Sequence, residues 1–363
     1  MKHCTMGKTI GVPREIKKDE GRVSLTPASV RKLSGYGNIL IEEDAGLTSG
    51  YSNQDYLDSG ASVMSSKEEL FQKAEIICKV KEPLEGDLEY LSQDHLVFGY
   101  LHLSSSFDLT KRLMDIGLTG IAMELIWDGG HYPLLTPMSE IAGEIAATKG
   151  LSYLDKEEPL SLRVVVIGCG VVGEAAISTA LSEGCRVFAV DVDQKKLDYL
   201  KKKYSKYEDR VDYLNIKGAE LDNLIEGADM VIGAVLVPGG KPPIVVTNEN
   251  IKSMSPESVI VDVAIDQGGC VEDVTATTHS NPYIERNGVK VLSIANLPGS
   301  VPARASIAIS NEIEKYLPFF LEREWINNIS GNRSYEDSLQ VHNGMLLSKA
   351  VSDSLGIALS TLI

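Results

Sequence analysis

Residues 164–179 read VVVIGCGVVGEAAIST: four apolar β-formers, then Gly168, Gly170 and Gly173 in GxGxxG spacing, then a run that opens like a helix. The spacing alone is weak, because glycines are common, but between a strand and a helix it has the context of a dinucleotide-binding turn. Gly168 permits the tight turn and Gly170 lets a pyrophosphate approach the backbone amides. Gly173, just after Val172, lets helix and strand pack closely. The helix N-terminus then stabilises the phosphate charge. The next strand ends at Asp191. A carboxylate there accepts hydrogen bonds from the adenosine ribose and repels a 2′-phosphate, so NAD is expected over NADP. Lys195 and Lys196 follow closely and soften that preference.

Around this turn the chain alternates. LRVVVIG (162–168) is followed by RVFAVD (186–191), RVDYLNI (210–216), DMVIGAV (229–235), SVIVDVA (258–264) and KVLSIAN (290–296). Six strands, with helices between the earlier ones, predict a doubly wound Rossmann-type parallel sheet. Upstream, TIGVP, NILIEE, EIICKVK, HLVFGYLHL and TGIAMELIW alternate with helical patterns near residues 27–33 and LTKRLMDIG. Uninterrupted apolar strands of this kind belong to parallel sheets covered on both faces. A long helical pattern, residues 139–154, joins the two series. After Pro302 the pattern reads helical to the end with no new sheet, including one long helix over 301–326, whose apolar faces suit a core or an interface equally. The expectation is an α/β protein of two domains. One is a discontinuous substrate domain, residues 1–138 with helices 299–363 returning to it. The other is a dinucleotide-binding domain over 139–298.

A chain of 363 residues suits two cores better than one. Its net charge of −16 argues against nucleic acid, which demands a basic surface, and against an anionic membrane face. No apolar run approaches a membrane span and the opening MKHCTMGK lacks a signal core, so a cytoplasmic location is expected. Cys4, Cys78, Cys169, Cys185 and Cys270 are scattered and odd in number, which reads as reduced thiols and no zinc site. No ligand cluster suggests any other metal.

Further blocks, in one order along nearly the whole chain, resemble the alanine dehydrogenase family. They are GVPREIKKDEGRVSLTP (11–27), KVKEP (79–83), LHLSSS (101–106), LLTPMSEIAG (134–143), GAVLVPGGKPP (233–243), VDVAIDQGGC (261–270), ANLPGSVP (295–302) and HNGMLLSKAV (342–351). The NAD-binding subunit of proton-pumping transhydrogenase has a comparable front half but lacks the LHL histidine and the AIDQGG motif. The resemblance implies reversible, NAD-dependent oxidative deamination of L-alanine to pyruvate and ammonium. It also implies two α/β domains with catalysis in the cleft between them, and a homo-oligomer, typically a hexamer, although a dimer remains open.

Carried over by motif, Arg22 is the arginine for the substrate carboxylate and Lys81 the lysine for its oxygen. His102 and Asp266 are the catalytic pair. Cofactor contacts fall on Ser139, Asp191, Lys196, Val235 and Leu236. They continue on Val263, Ala264, Ile265 and Asp266 after one strand, and on Ile294, Ala295, Asn296 and Leu297 after the next. Three departures stand out. A glycine-rich loop expected before residue 163 is missing, no serine near the adenine matches around 215–217, and Thr275 stands where some members carry arginine.

Each candidate has a plainer reading. Arg22 alone is one arginine in a charged turn, but a guanidinium is the group that grips a carboxylate bidentately. Lys79 and Lys81 alternate, so one face of that strand end reads as cationic, and a lysine near a carbonyl polarises it. His102 between leucines reads as a hydrogen-bonded core histidine, yet it ends a strand of a parallel sheet, where ligands gather, and its proton affinity suits acid–base work. Asp266 reads locally as a turn-starting residue. From a strand tip it can also orient water or ammonia and stabilise an iminium charge. Asp262 reads as a structural partner for a helix cap. The competing functions are a reductive condensing enzyme of the saccharopine or carboxyethyl-ornithine type and a non-catalytic, transhydrogenase-like NAD-binding module.

Overall fold

The β-branched runs become strands and the polar, glycine-bearing stretches between them become turns. The structure, a computed structural model, describes residues 8–154 and 161–361. Cys4 and the segment 155–160, where the missing loop was noted, lie outside the described residues. In chain order the strands are β1 (Ile10–Val12), β2 (Ile39–Glu42), β3 (Ser62–Met64), β4 (Ile76–Cys78), β5 (Leu96–Gly99) and β6 (Thr119–Ala122). Next come β7 (Arg163–Ile167), β8 (Arg186–Val190), β9 (Val211–Leu214), β10 (Met230–Gly233), β11 (Val259–Asp262), β12 (Ile284–Arg286) and β13 (Val289–Leu292). The series closes with β14 (Leu339–His342) and β15 (Met345–Leu346). The chain divides into two compact units, one of Met1–Met138 with Gly299–Ile363 and a second of Ser139–Pro298.

The first unit carries an eight-stranded sheet in the order β15-β14-β6-β5-β4-β1-β2-β3. Its six N-terminal strands are parallel and follow the doubly wound 3-2-1-4-5-6 order, with the switch point between β1 and β4. The expectation that the chain reads helical to its end after Pro302 is wrong: no new sheet forms, but two further strands join the existing one. β14 pairs antiparallel with β6, and β15 with β14. The turn between them is Asn343-Gly344, both at positive φ. An Asn-Gly pair between apolar residues is the sequence signal of a two-residue hairpin. Val341, Leu346 and Val351 pack with Leu101 and Leu113 in one buried cluster. Each such side chain contributes about 1.5–3 kcal/mol.

The expected helix over 301–326 is three pieces, Pro302–Tyr316, Pro318–Leu321 and Trp325–Ile329. Pro318 supplies no amide to a continuing helix, and Leu317 before it keeps helical geometry, φ −57° and ψ −36°, so a new helical turn starts directly after the break. The first piece braces the N-terminal portion through two serines one turn apart. Ser306 Oγ accepts the Val23 amide at 2.9 Å and Ser310 Oγ the Thr26 amide at 2.8 Å.

The second unit has seven strands rather than six, in the order β12-β13-β11-β10-β7-β8-β9. The extra β12 pairs antiparallel with β13 across Asn287-Gly288, again with both residues at positive φ. The other strands run parallel in doubly wound order, switching between β7 and β10. Val165, Val231, Ile260 and Val291 centre its core. The joining helix spans Thr136–Ser152. A Cβ on its Gly143 would stand 2.1 Å from the Val172 carbonyl oxygen, so only glycine permits that approach to the helix Val171–Ser182.

Candidate active site

In the first unit, four adjacent parallel strands, β6-β5-β4-β1, end at one edge of the sheet. The expected site residues lie beyond those ends, Lys81 and His102 shortly after β4 and β5 and Arg22 further along the segment that leaves β1. This is the crevice at a topological switch point where α/β sheets bind ligands. The segments are stitched together through their backbones. Ser24 Oγ donates to the Cys78 carbonyl at 2.7 Å. Tyr100 N–H donates to the Val80 carbonyl at 3.0 Å, and Glu15 Oε1 accepts the Val80 amide at 2.6 Å. Gly99 makes room for this approach, since a Cβ there would stand 3.1 Å from the Lys79 carbonyl oxygen.

Arg22 is buried, at 3% exposure, and not on a solvated surface. Glu20, two residues earlier, takes its Nε at 2.8 Å and its Nη2 at 2.5 Å, while Nη1 lies 3.2 Å from Met138 Sδ. Burial alone would raise the Glu20 carboxyl, but the Arg22 charge and its hydrogen bonds bring it down to about 2. Burial likewise opposes the Arg22 charge, and Glu20 overrides it, so Arg22 is raised.

The two lysines differ, which corrects the expectation of one cationic face. Lys79, 1% exposed, is ion-paired with Asp87 at 2.9 Å and Glu15 at 3.3 Å. Its charge is spent on buried carboxylates. Burial would lower Lys79, and those two acids raise it instead, while burial raises Glu15. Lys81 is buried at 3%, and its charge reaches both Glu20 and Glu82. Burial would raise Glu82, but Lys81 and Lys17 hold it low, with His102 adding a smaller pull. Those mutual influences place Arg22, Lys81 and His102 in one electrostatic neighbourhood.

His102 does not end a strand. β5 stops at Gly99, and His102 adopts left-handed geometry, φ 44° and ψ 39°, at the entry to the short turn Leu103–Ser105. Its ring stacks on Tyr100, with centroids 5.9 Å apart and planes 6° from parallel. Glu124, just after β6 and 4% exposed, accepts the His102 amide at 2.9 Å. Sequence reasoning missed Glu124, Glu20 and Glu15. Glu20 stands two residues from Arg22 in an acidic-basic pair, a local signal. Nothing local marks Glu124.

In the second unit the Gly-rich turn joins β7 to the helix Val171–Ser182. Gly168 has φ 95°, and a Cβ there would lie 2.6 Å from the Ala234 carbonyl oxygen. A Cβ on Gly173 would sit 1.8 Å from the Gly168 carbonyl oxygen, whereas one on Gly170 would meet nothing within 4 Å. Asp191 grips the turn, its Oδ2 accepting the Cys169 amide at 2.7 Å and its Oδ1 the Asp193 amide at 2.8 Å. Lys196 Nζ stands 3.6 Å from the same carboxylate. Ser139 is buried in the first turn of the joining helix, and Leu236, after β10, is 44% exposed.

Asp262 serves its own loop and no helix cap. It accepts the amides of Ala264, Cys270 and Val271 at 2.9, 2.9 and 3.1 Å. Burial outweighs these bonds and raises its carboxyl. Gly269, at φ 78°, would put a Cβ 2.9 Å from Asp262 Oδ2, which explains the glycine. The folded loop carries Val263, Ala264 and Ile265, and presents Asp266 on the turn Ile265–Gln267. Both Asp266 carboxylate oxygens stand 3.2 Å from the Asn296 amide. Asn296, at φ 62°, follows β13 with Ile294, Ala295 and Leu297. Apart from Ser139, on the joining helix, and Lys196, on the helix Gln194–Lys203, the expected cofactor residues gather at the C-terminal ends of β7, β8, β10, β11 and β13. Cys78, Cys169, Cys185 and Cys270 are free and buried. Among the described residues no cluster of His, Cys, Asp and Glu could hold a metal ion, and no helix is long and apolar enough to cross a membrane.

Residues 11–142 match the model of the alanine dehydrogenase/PNT N-terminal domain, and residues 159–349 that of the C-terminal domain. The chain is 38% identical to an alanine dehydrogenase of Methanococcus maripaludis, over 94% of this chain and 95% of that one. A solved L-alanine dehydrogenase superposes with a TM-score of 0.83 at 36% identity, covering 96% of this chain and 99% of the other. A transhydrogenase structure from Sinorhizobium meliloti gives 0.77 at 25% identity, covering 94% and 100%.

Proposed function

Because the chain belongs to the alanine dehydrogenase/PNT family, we propose that it is an NAD-dependent amino-acid dehydrogenase acting reversibly on L-alanine. In the forward direction L-alanine, NAD⁺ and water give pyruvate, ammonium, NADH and a proton. The observation that carries this reading is the assembly of Arg22, Lys81 and His102 beyond adjacent strand ends in the first unit, with Arg22 held rigid by Glu20.

NAD fits the second unit. The open space in front of Gly170 and the Asp191 carboxylate beside the turn support a pyrophosphate and a ribose contact there. Lys196, already beside Asp191, is a poor recruit for a 2′-phosphate, which supports NAD over NADP. When bound, NAD supplies the hydride acceptor. Arg22 binds the substrate carboxylate as a planar fork. Lys81 holds the substrate oxygen and polarises the carbonyl in the reverse direction. His102 carries protons to and from that oxygen as the carbinolamine forms and collapses. Asp266, steadied by the Asn296 amide, orients water or ammonia and stabilises the iminium charge. Ser139, Val235, Leu236 and the residues after β11 and β13 contact the cofactor. The family resemblance also makes a cytoplasmic hexamer the expected form, which size-exclusion with light scattering checks.

The deciding experiment follows NADH formation with a panel of small L-amino acids, then NADH oxidation with pyruvate plus ammonium or plus larger amines. Alanine turnover supports the reading. Activity only with larger amines favours a condensing enzyme, and NAD binding without turnover favours a binding module.

A further inference from the structure

We propose that Glu124 is the positioning residue for His102, fixing both its backbone and its tautomer; this rests on the dehydrogenase reading of the site. Glu124 Oε1 accepts the His102 amide at 2.9 Å and the Leu101 amide at 3.1 Å, and Oε2 meets the Leu101 amide at 3.3 Å. The same Oε1 stands 3.5 Å from His102 Nδ1. One buried carboxylate therefore reaches the main chain and the imidazole of the same residue.

The main-chain part has a clear purpose. A non-glycine residue in left-handed geometry is disfavoured and persists only where its surroundings over-determine it. His102 is such a residue, and the two amides that lead into it both end on Glu124. The side-chain part follows from the ring. Tyr100 lies flat against the imidazole, and its hydroxyl is tied to the Leu134 carbonyl at 2.5 Å, so the ring plane is set. The acceptor beside Nδ1 is Glu124 Oε1, 3.5 Å away. A carboxylate can only accept there, so the neutral ring keeps its proton on Nδ1 and presents Nε2, on the opposite edge, as the atom that takes and returns the substrate's proton. At 3.5 Å the contact is longer than an ordinary hydrogen bond, and catalytic hydrogen bonds commonly tighten once substrate is bound. A capping carboxylate with no further role would have no reason to address Nδ1 as well.

Glu124→Gln separates the two functions. With its amide oxygen at the Oε1 position, glutamine still accepts both backbone amides, and its NH₂ replaces the oxygen that makes the longer contact. The charge at Nδ1 is lost. The expected result is a kcat for L-alanine at least about tenfold lower, a part of the roughly 10²–10⁴-fold of general acid–base assistance because His102 itself remains, with KM and NADH affinity within about twofold of wild type. Glu124→Ala, which also frees the amides, should lose more. Tautomer is read without turnover from ¹⁵N-histidine spectra at about pH 9, above the usual histidine range. There are six histidines, and His102→Gln identifies the signal. Wild type and Glu124→Gln, which keeps an acceptor at the Oε1 position, should both show the Nδ1–H form, and Glu124→Ala a shift toward Nε2–H. An unchanged kcat or a loss confined to KM in Glu124→Gln, or an unchanged tautomer in Glu124→Ala, would each overturn the proposal. If wild type shows no alanine turnover but the Nδ1–H form is present, the dehydrogenase reading fails and the positioning geometry stands.

Discussion

Replacing Glu20 by Gln tests a fully buried charge pair of the site. The two side chains are 0% and 2% exposed, so water cannot take over when one partner loses its charge. In the native fold the Glu20 carboxyl is held at about 2, against an ordinary 4.5, because Arg22 overrides the opposing effect of burial. A depression of roughly 2.5 units at about 1.36 kcal/mol each corresponds to about 3 kcal/mol. Stranding one member of a buried pair independently costs about 3–5 kcal/mol. The variant should therefore lose about 3 kcal/mol near neutral pH, roughly two decades in the unfolding equilibrium. The sign with pH follows from the direction of the shift. A depressed carboxyl stabilises fully above 4.5 and progressively less as the pH falls toward 2, where wild type is protonated too. The gap between wild type and variant should close across that window. Both tryptophans, Trp127 and Trp325, lie in the first unit, so urea titrations followed by tryptophan fluorescence report on that unit. Adding Arg22→Met to Glu20→Gln should recover much of the stability, since no buried charge is then stranded. A loss below about 1 kcal/mol at neutral pH, or a gap that ignores pH, refutes the reasoning.

Three further outcomes follow from the geometry. Gly173→Ala forces a Cβ against the Gly168 carbonyl oxygen, so NADH binding should fall by more than about a hundredfold, with thermal stability reduced, whereas Gly170→Ala meets no protein atom and should fold normally yet bind NADH about tenfold more weakly; calorimetry distinguishes them. Asp191→Asn keeps an acceptor for the Cys169 amide but removes the charge, so the NADP-to-NAD ratio of kcat/KM should rise by about tenfold or more, and an unchanged ratio would clear Asp191 of any part in the preference. His102→Ala should lower kcat by at least about a hundredfold while NADH fluorescence titrations stay near wild type; full activity would remove His102 from the chemistry.

Much of this protein is written locally. Apolar runs of β-formers mark the parallel strands of both units, because a strand buried on two faces needs no alternation. Gly168, Gly170 and Gly173 mark the dinucleotide turn, because each answers a steric demand of its immediate neighbours or of the ligand. The two hairpins were legible too, through Asn287-Gly288 and Asn343-Gly344, although the apolar pattern around them is too short to stand out. Pro318 similarly announces the break in the C-terminal helix. What the sequence could not decide is which distant groups meet. Glu124 lies 22 residues from His102, and only the pairing of β5 with β6 brings its carboxylate to the imidazole. Lys79 and Lys81 look equivalent until the fold places Glu15 and Asp87 against the first. Backbone conformation and hydrophobic burial are settled by near neighbours, whereas the charge state and aim of a buried side chain depend on partners that strand order alone delivers.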